Sequence, residues 1–288
     1  MKYDSIAGVL FVMLVSIPNM LLAEDYELRE AYRHEDVRQS WADVNNPVPP
    51  GDYTIKIDDR TFSMTIPQDR TAASYHRKDI DTQYYREQIF SDRDEKAVSL
   101  IGFRRKDQAG VWPFVRSYGE TSIGAGVFLP RDQTKSKLFW ADYRTLESLI
   151  ARTRDNGVSI TVFDEQGNRI GKKEIPRDVV VINGRKWARE HYEKGDSARA
   201  VAGLSEETVD TYYTGLSANS YIAVGVSYPY LASRYPKDKE RPEWIKQSSA
   251  FIAQALSSIK ISPPSGSTEP DFLTVDESLN TPVEMLTP

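Results

Sequence analysis

The sequence contains no cysteine and only three histidines among its 288 residues. The absence of cysteine excludes disulfide bridges, thiolate metal sites and a cysteine nucleophile. His34, His76 and His191 lie far apart on different predicted elements, so no two of them have the spacing of metal ligands on one helix. We therefore expect no metal site and no cofactor.

A strong excess of either charge is also missing from most of the chain. Lysine and arginine number 37, and aspartate and glutamate number 42, which gives a net charge of −5. Residues 263–288 carry five acidic residues and no basic one, so this segment accounts for the whole net charge. Because the rest of the chain is neutral overall, it has no global field that would attract nucleic acid, and we expect no nucleic-acid partner.

Long apolar runs are absent after the first 23 residues, whereas the segment from Ile6 to Ala23 is apolar almost throughout. A single base, Lys2, precedes this segment, and Ala23 offers a small residue for cleavage, as is typical of a secretory signal. An uncleaved anchor is the alternative, because 18 residues lie at the lower limit for spanning a bilayer. We predict that residues 1–23 are a signal peptide, that the protein is periplasmic or secreted in a bacterium, and that the mature chain has no membrane span.

Composition divides the remaining chain into three parts. Residues 24–50 are charged and then rich in proline, which predicts an N-terminal arm. Residues 51–262 predict one α+β domain with insertions. Residues 263–288 combine five prolines and five acids with few large apolar residues, so they cannot offset their ordering entropy and are predicted to be a disordered acidic tail.

Hairpin-linked strands dominate the predicted domain. The predicted strands are, in chain order, 53–57, 61–66, 97–103, 122–129, 158–163, 169–175, 179–182, 185–192, 208–214 and 220–228. The strongest local signal is Asn183-Gly184, because this pair supplies both positive-φ residues of a two-residue type I′ turn.

Only two helices are predicted in this domain. The first is capped by Asp142 in the middle of the chain and ends at Asn156-Gly157. The second begins at Pro242 and carries a stripe formed by Ile245, Ile252, Leu256 and Ile259. Few helices, separated from hairpin-linked strands, predict an α+β protein in which a mid-chain helix and a long C-terminal helix pack on an antiparallel sheet.

Several segments taken together resemble a known architecture. They are the hairpin strand at 62–67, the mid-chain helix, the strands at 182–187 and 221–224, and the closing helix that runs into 257–261. Their order resembles the Mog1/PsbP-like α/β/α sandwich over residues 51–262, with insertions around 67–95 and 104–121. The resemblance implies a scaffold, assembly factor or partner-binding protein of an exported compartment. In size, leader and strand-rich character the chain is also similar to the two-domain periplasmic immunity proteins that neutralise type VI secretion phospholipase effectors.

Aromatic residues are abundant, with 16 tyrosines, 10 phenylalanines and 5 tryptophans. Aromatic and arginine side chains dominate the energetics of protein interfaces, and a tight turn holds its neighbours on a rigid frame. The predicted binding residues follow the Asn183-Gly184 turn or lie at the end of strand 220–228 and in the loop after it: Arg185, Trp187, Arg189, Tyr228, Tyr230 and Tyr235. The alternative is that this face is the core side of the sheet, with Trp187 buried.

Catalytic motifs are largely missing. The segments closest to a Gly-x-Ser-x-Gly elbow, 215–219 and 225–229, lack the second glycine that its sharp turn needs. We therefore predict a non-enzymatic exported binding protein that acts through a protein partner, as an immunity or assembly factor. The alternative is an exported hydrolase with a Ser/His/acid site assembled from separated residues and with His191 as its general base.

Overall fold

The computed structural model describes residues 50–68, 72–76, 79–80, 95–109, 116–130, 144–147, 149–150, 159–163, 169–175, 177–194, 207–218, 220–235, 240–266 and 273–288. The predicted signal peptide, and all but the last residue of the predicted N-terminal arm, lie outside these ranges. No helix within them is long and apolar enough to cross a membrane.

The described strands are, in chain order, β1 (Gly51–Ile57), β2 (Arg60–Ile66), β3 (Ala72–His76), β4 (Asp79–Ile80), β5 (Glu95–Ala109), β6 (Arg116–Pro130), β7 (Ser159–Phe163), β8 (Arg169–Glu174), β9 (Arg177–Ile182), β10 (Arg185–Lys194), β11 (Glu207–Ser217), β12 (Ser220–Tyr228) and β13 (Lys260–Ile261). One α-helix, α1 (Glu243–Ser257), and short 3-10 turns at Ala232–Arg234, Glu277–Leu279 and Val283–Leu286 complete the described elements.

The strands form one large sheet and two smaller ones. The large sheet has seven strands in the order β3-β5-β6-β12-β11-β10-β9, and all neighbours are antiparallel. A four-stranded sheet has the order β13-β2-β1-β4, and β7 pairs with β8 alone. The sheet-rich α+β class predicted from the sequence is therefore confirmed.

Two tight turns have the backbone conformation that their residue types favour. Asn183 and Gly184 have φ values of 48° and 70° between β9 and β10, which matches the predicted type I′ turn. Asp58 has a φ of 52° between β1 and β2. Asparagine and aspartate tolerate this left-handed region better than other residues with a Cβ atom, so both hairpins are specified locally.

The seven-stranded sheet is covered on both faces. On the first face, β1, β2 and α1 enclose the larger core, where Phe103 meets Phe251 of α1 edge to face with ring centroids 5.4 Å apart. The second face carries a smaller cluster, formed by Phe128, Leu146, Leu149, Ala188, Tyr213, Tyr221, Ala223 and Leu273. Because successive residues of a strand point to opposite faces, Tyr212 belongs to the first core and Tyr213 to the second.

The helices differ from the sequence prediction in extent. Helix α1 begins directly after Pro242, as predicted, and buries its apolar stripe, but it has 15 residues and the chain continues beyond it. The prediction of a long C-terminal helix is therefore not supported. Of the predicted mid-chain helix, Leu146, Glu147, Leu149 and Ile150 are helical, and its remainder falls largely outside the described residues.

Residues 273–288, called the strap below, pack against the β9–β10 hairpin. The prediction that residues 263–288 are a disordered tail is wrong for this segment, and the ordered domain extends beyond residue 262. Leu273 is buried in the second-face cluster and Leu286 in the larger core. These two apolar anchors, together with backbone hydrogen bonds, offset the ordering entropy that the composition suggested could not be offset.

Backbone hydrogen bonds hold the strap on both sides of the hairpin tip. The Val275 N–H donates to the Gly184 carbonyl at 2.6 Å. Further along, the Thr281 N–H donates to the Val181 carbonyl at 2.8 Å, and the Val181 N–H donates to the Thr281 hydroxyl at 2.7 Å. The strap therefore passes from the β10 side of the hairpin, around its tip, to the outer edge of β9.

Candidate functional site

The aromatic residues predicted to form a binding surface are mostly part of the core. Trp187, Tyr228 and Tyr230 are buried, and Tyr235 is partly buried. The expectation that they lie on the surface is therefore wrong for the first three. The physical reason is that their side of the seven-stranded sheet is the face that α1 and the strap cover.

The two arginines that were predicted to bind a partner instead bond to other parts of this chain. Arg185 is buried, and its guanidinium group donates to the Thr214 hydroxyl at 3.0 Å and to the Gly215 carbonyl. Arg189 forms a fork with the Asp178 carboxylate, at 3.0 and 2.6 Å, and also donates to the Met285 carbonyl of the strap. Both guanidinium groups are therefore occupied within the chain, and neither is free for a partner.

The tyrosines form an aromatic cluster at the beginning of α1. The Tyr230 ring centroid lies 5.6 Å from that of Tyr228, 6.2 Å from that of Tyr235 and 5.7 Å from that of Trp244. Burial raises the pKa of Tyr230 to about 12. These rings orient the helix on the sheet, because edge-to-face pairs add specific geometry to their buried area.

A histidine–aspartate pair lies on the same face of β10 and β11. Asp210 is opposite His191 in the strand register, and the His191 Nδ1 and Asp210 Oδ1 atoms are 2.8 Å apart. The His191 side chain is 40% exposed, whereas the Asp210 side chain is fully buried. The hydrogen bond that the His191 ring donates to the Asp210 carboxylate raises the pKa of His191, although the partial burial of the ring acts against this rise. The pair has the geometry of a base and its orienting carboxylate.

A nucleophile for this pair is missing from the part of the chain that the structure describes, where no serine hydroxyl bonds to the His191 ring. The remaining histidines do not change this result, because His34 lies outside the described residues and only the backbone of His76 is described. Sequence reasoning missed Asp210, since its pairing depends on the register of β10 with β11 across residues 195–206. A weak signal existed in Asp210 itself, because it is the one charged residue in the interior of this buried strand.

A buried polar cluster connects α1 to β5 and β6. The Asp107 carboxylate accepts hydrogen bonds from Thr121 at 2.5 Å and from Ser248 of α1 at 2.7 Å, and it pairs with Arg105. Burial raises the pKa of Asp107, although the hydrogen bonds and the arginine act against this rise. With its charge paired inside the fold, this cluster is suited to anchoring the helix rather than to reacting with a substrate.

A second buried ion pair lies on the opposite face of the sheet. The Glu190 carboxylate accepts hydrogen bonds from Arg177, at 2.6 Å, and from the Tyr213 hydroxyl, at 3.0 Å. Burial raises the pKa of Glu190, and the Arg177 charge opposes the rise. The glutamate beside His191 in the sequence therefore points to the other face and takes no part in the His191 pair.

The exposed large apolar side chains of the described residues lie along one edge of the large sheet, on β9 and on the strap beside it, and are called the edge patch below. Its members belong to β9 or to the strap beside it: Val179 (51% exposed), Leu279 (63%), Val283 (46%) and Met285 (52%). A groove of about 310 Å³ runs between the strap and α1, with Val283 and Glu284 on one wall and Arg241 and Lys246 on the other. Among the described residues, no three histidine, aspartate or glutamate side chains lie together so that they could hold a metal ion.

Comparison with known proteins leaves the family of this chain open. No family model matches the sequence. A phosphoenolpyruvate carboxylase of Proteus mirabilis (strain HI4320) is 25% identical over 224 residues, which cover 75% of this chain and 20% of that protein. The chain thus spans about one fifth of the length of the curated relative that it matches.

Proposed function

We propose that this chain is a non-enzymatic binding protein that is exported to the bacterial periplasm and acts on a protein partner, as an immunity or assembly factor. The observation that carries this proposal is the edge patch. Large apolar side chains that remain exposed and gather in one region mark interaction surfaces. Here Val179, Leu279, Val283 and Met285 all belong to one sheet edge and the strap beside it.

The polar groups of the fold also favour binding over catalysis. The carboxylates of Asp107 and Glu190 are buried and paired with Arg105 and Arg177. Catalytic groups are instead expected in a cleft, with a nucleophile and a base within hydrogen-bond reach of each other. The buried charges of Asp107 and Glu190 are paired within the chain and have a structural explanation that needs no substrate.

We further propose that the architecture is the Mog1/PsbP-like sandwich that the order of elements resembles. Helix α1 covers one face of the seven-stranded sheet, and the helical residues Leu146 and Leu149 pack on the other. The packing of helical residues on both faces of the sheet supports the proposal, as does the antiparallel pairing of its strands. An exported partner-binding protein is what this resemblance implies.

One observation favours a second candidate, an exported hydrolase. His191 and Asp210 form a hydrogen-bonded pair, and the histidine is partly accessible to solvent. A serine outside the described residues would be needed to complete a catalytic triad. The binding function ranks first because the exposed apolar side chains of the edge patch are observed, whereas among the described residues the His191 ring bonds only to Asp210 and to no nucleophile.

Purification of the tagged protein from periplasmic extract of its host, after chemical crosslinking, tests the two candidates. We expect wild-type protein and His191→Ala to retain the same partner, and Met285→Asp to retain less of it. Lys56→Ala is the matched control, because Lys56 is exposed on the separate four-stranded sheet. Absence of any partner, combined with an esterase activity that His191→Ala abolishes, would replace the binding proposal with the hydrolase.

A further inference from the structure

We propose that the partner adds an extended segment to the outer edge of β9 as an eighth strand of the large sheet, and that this segment is apolar with flanking basic residues. The inference rests on the proposed binding function and specifies its docking surface. Three properties of the edge support it: open backbone groups, exposed apolar side chains on both sides of the edge, and a surplus of acidic residues.

The backbone of β9 is open at its outer edge. Ile182 and Arg185 close the two-residue turn, so they form the hydrogen-bonded pair of the hairpin. The N–H and C=O groups of Val181 and Val179 consequently point away from β10. Those of Val181 bond to Thr281, whereas no described residue bonds to those of Val179. The edge is therefore covered next to the turn and open two residues further along.

The side chains of the open part of β9 favour the addition of another strand. Natural sheets protect an exposed edge with charged residues, proline or bulges. Here the edge strand contains the sequence Val179-Val180-Val181-Ile182, and the Val179 side chain is 51% exposed. An extended peptide that pairs with such an edge gains main-chain hydrogen bonds, and the flanking side-chain positions provide specificity.

The edge patch provides apolar contacts on both sides of an added strand. Val179 lies opposite Ala188 and so projects on the second face of the sheet. The strap reaches the first face instead, since its Leu286 carbonyl accepts the Tyr212 hydroxyl hydrogen bond. Alternating side chains of an added strand would therefore meet Val179 on one face and the strap residues Val283 and Met285 on the other.

The charge around the edge favours a basic occupant. The strap carries Asp276, Glu277 and Glu284 and no lysine or arginine. On β9 itself, half of the Asp178 side chain is exposed next to Val179, but Arg189 already pairs with this carboxylate, so the surplus of acidic residues lies on the strap. The cations Arg241 and Lys246 belong to the helix side of the groove that Val283 and Glu284 also line. Opposite charge on the partner speeds its encounter with this edge and selects against acidic segments.

The test uses a synthetic peptide in which a run of valines is flanked by lysines at both ends, and measures its affinity by fluorescence anisotropy. The variant Val179→Pro removes an outward N–H while leaving the bonds between β9 and β10 intact. The matched control, Val179→Thr, keeps both the N–H and the branched shape. We expect the peptide to bind the wild type and Val179→Thr alike, and to bind Val179→Pro about tenfold more weakly, a change of about 1.4 kcal/mol.

Two readouts tie the result to the edge. Hydrogen exchange of the Val179 amide should slow when the peptide binds, and a peptide with glutamate in place of lysine should bind more weakly. Equal affinity of Val179→Pro and wild type, at unchanged thermal midpoint, would overturn strand addition. Equal affinity of the lysine and glutamate peptides would overturn the basic character of the occupant.

Failure of this inference can be separated from failure of the proposed function. If wild type and Val179→Pro capture the same crosslinked partner equally, the binding function stands and the β9 edge is not its docking site. If neither captures a partner, the function itself fails. If sedimentation shows a wild-type dimer that Val179→Pro dissociates, a second copy occupies the edge, and the proposal of a different protein is wrong.

Discussion

The Tyr212 hydroxyl donates a 2.6 Å hydrogen bond to the backbone carbonyl of Leu286. This bond connects a central strand of the large sheet to the far end of the strap. Burial raises the pKa of Tyr212 well above its ordinary value, so the hydroxyl stays protonated and remains a donor throughout the physiological pH range. The end of the strap is therefore packed into the larger core of the protein.

Removing the Leu286 anchor should therefore destabilise the protein. Leu286→Ala deletes a buried side chain from the larger core and should lower the free energy of unfolding by about 2–5 kcal/mol, measured by urea denaturation. Leu279→Ala is the control, because Leu279 is mostly exposed in the same strap and should change stability by less than about 0.5 kcal/mol. Equal, small effects of the two substitutions would mean that the strap is not packed.

The Asn183 side chain provides a second connection, between the hairpin turn and the end of α1. Its amide donates to the carbonyls of Ser257, at 2.5 Å, and Ile259, at 2.7 Å, while its backbone has a positive φ. Asn183→Gly adopts the positive φ without steric cost but loses both hydrogen bonds. Asn183→Ala also loses both hydrogen bonds, and alanine tolerates the positive φ less well than asparagine does. We expect thermal midpoints in the order wild type, Asn183→Gly, Asn183→Ala, with about 1–3 kcal/mol lost in the last variant. A midpoint for Asn183→Gly equal to that of the wild type would contradict this order, because the gain from relieving the positive φ would then offset the loss of both hydrogen bonds.

The β9–β10 hairpin could be predicted from the sequence because its determinant, Asn183-Gly184, is local. The burial of Trp187 could not, since alternation shows which side chains share a face but not which face is covered. The strap was missed for a related reason. Its prolines and acids are typical of disorder, and two leucines separated by 13 positions decide the outcome by reaching two different cores.

The pairing of His191 with Asp210 is also non-local. It requires β10 and β11 to be antiparallel in one particular register, which no short motif encodes. A shift of one residue would place Asp210 on the opposite face. The candidate catalytic partner of a histidine in a sheet can thus be named only when the strand pairing is known.

The buried Asp107 should be far more important for stability than a similar exposed ion pair. Asp107→Ala leaves the Arg105 guanidinium without its carboxylate in a buried environment, which costs about 3–5 kcal/mol. Arg104→Ala removes an ion pair with Glu120 in which both side chains are more than one third exposed, and it should cost less than about 1 kcal/mol. Chemical denaturation of both variants under the same conditions measures the difference. A comparable loss in the two would contradict the anchoring of α1 by Asp107.

The last prediction concerns the pH dependence of the His191–Asp210 pair. The hydrogen bond to the buried aspartate raises the pKa of His191 above its ordinary value of 6.5, and the Glu193 charge acts in the same direction, while burial and the Arg189 charge oppose the rise. A raised folded-state pKa means that the native protein binds this proton more tightly than the unfolded chain does. The resulting stabilisation is complete below the ordinary pKa and is lost as the pH rises through the folded-state value.

Asp210→Asn should lower the pKa of His191, measured by NMR titration of its ring protons, and should flatten the fall in stability as the pH rises above the ordinary histidine pKa of 6.5. Glu193→Gln is the control, because this carboxylate acts only through its charge and should shift the pKa by less. A His191 pKa that is unchanged in Asp210→Asn would mean that the 2.8 Å contact does not hold the proton, and the pair would then lack the property that a general base in a hydrolase requires. A large shift would establish the pair as a proton-binding unit on the surface, and an activity assay of His191→Ala would decide whether the protein uses it.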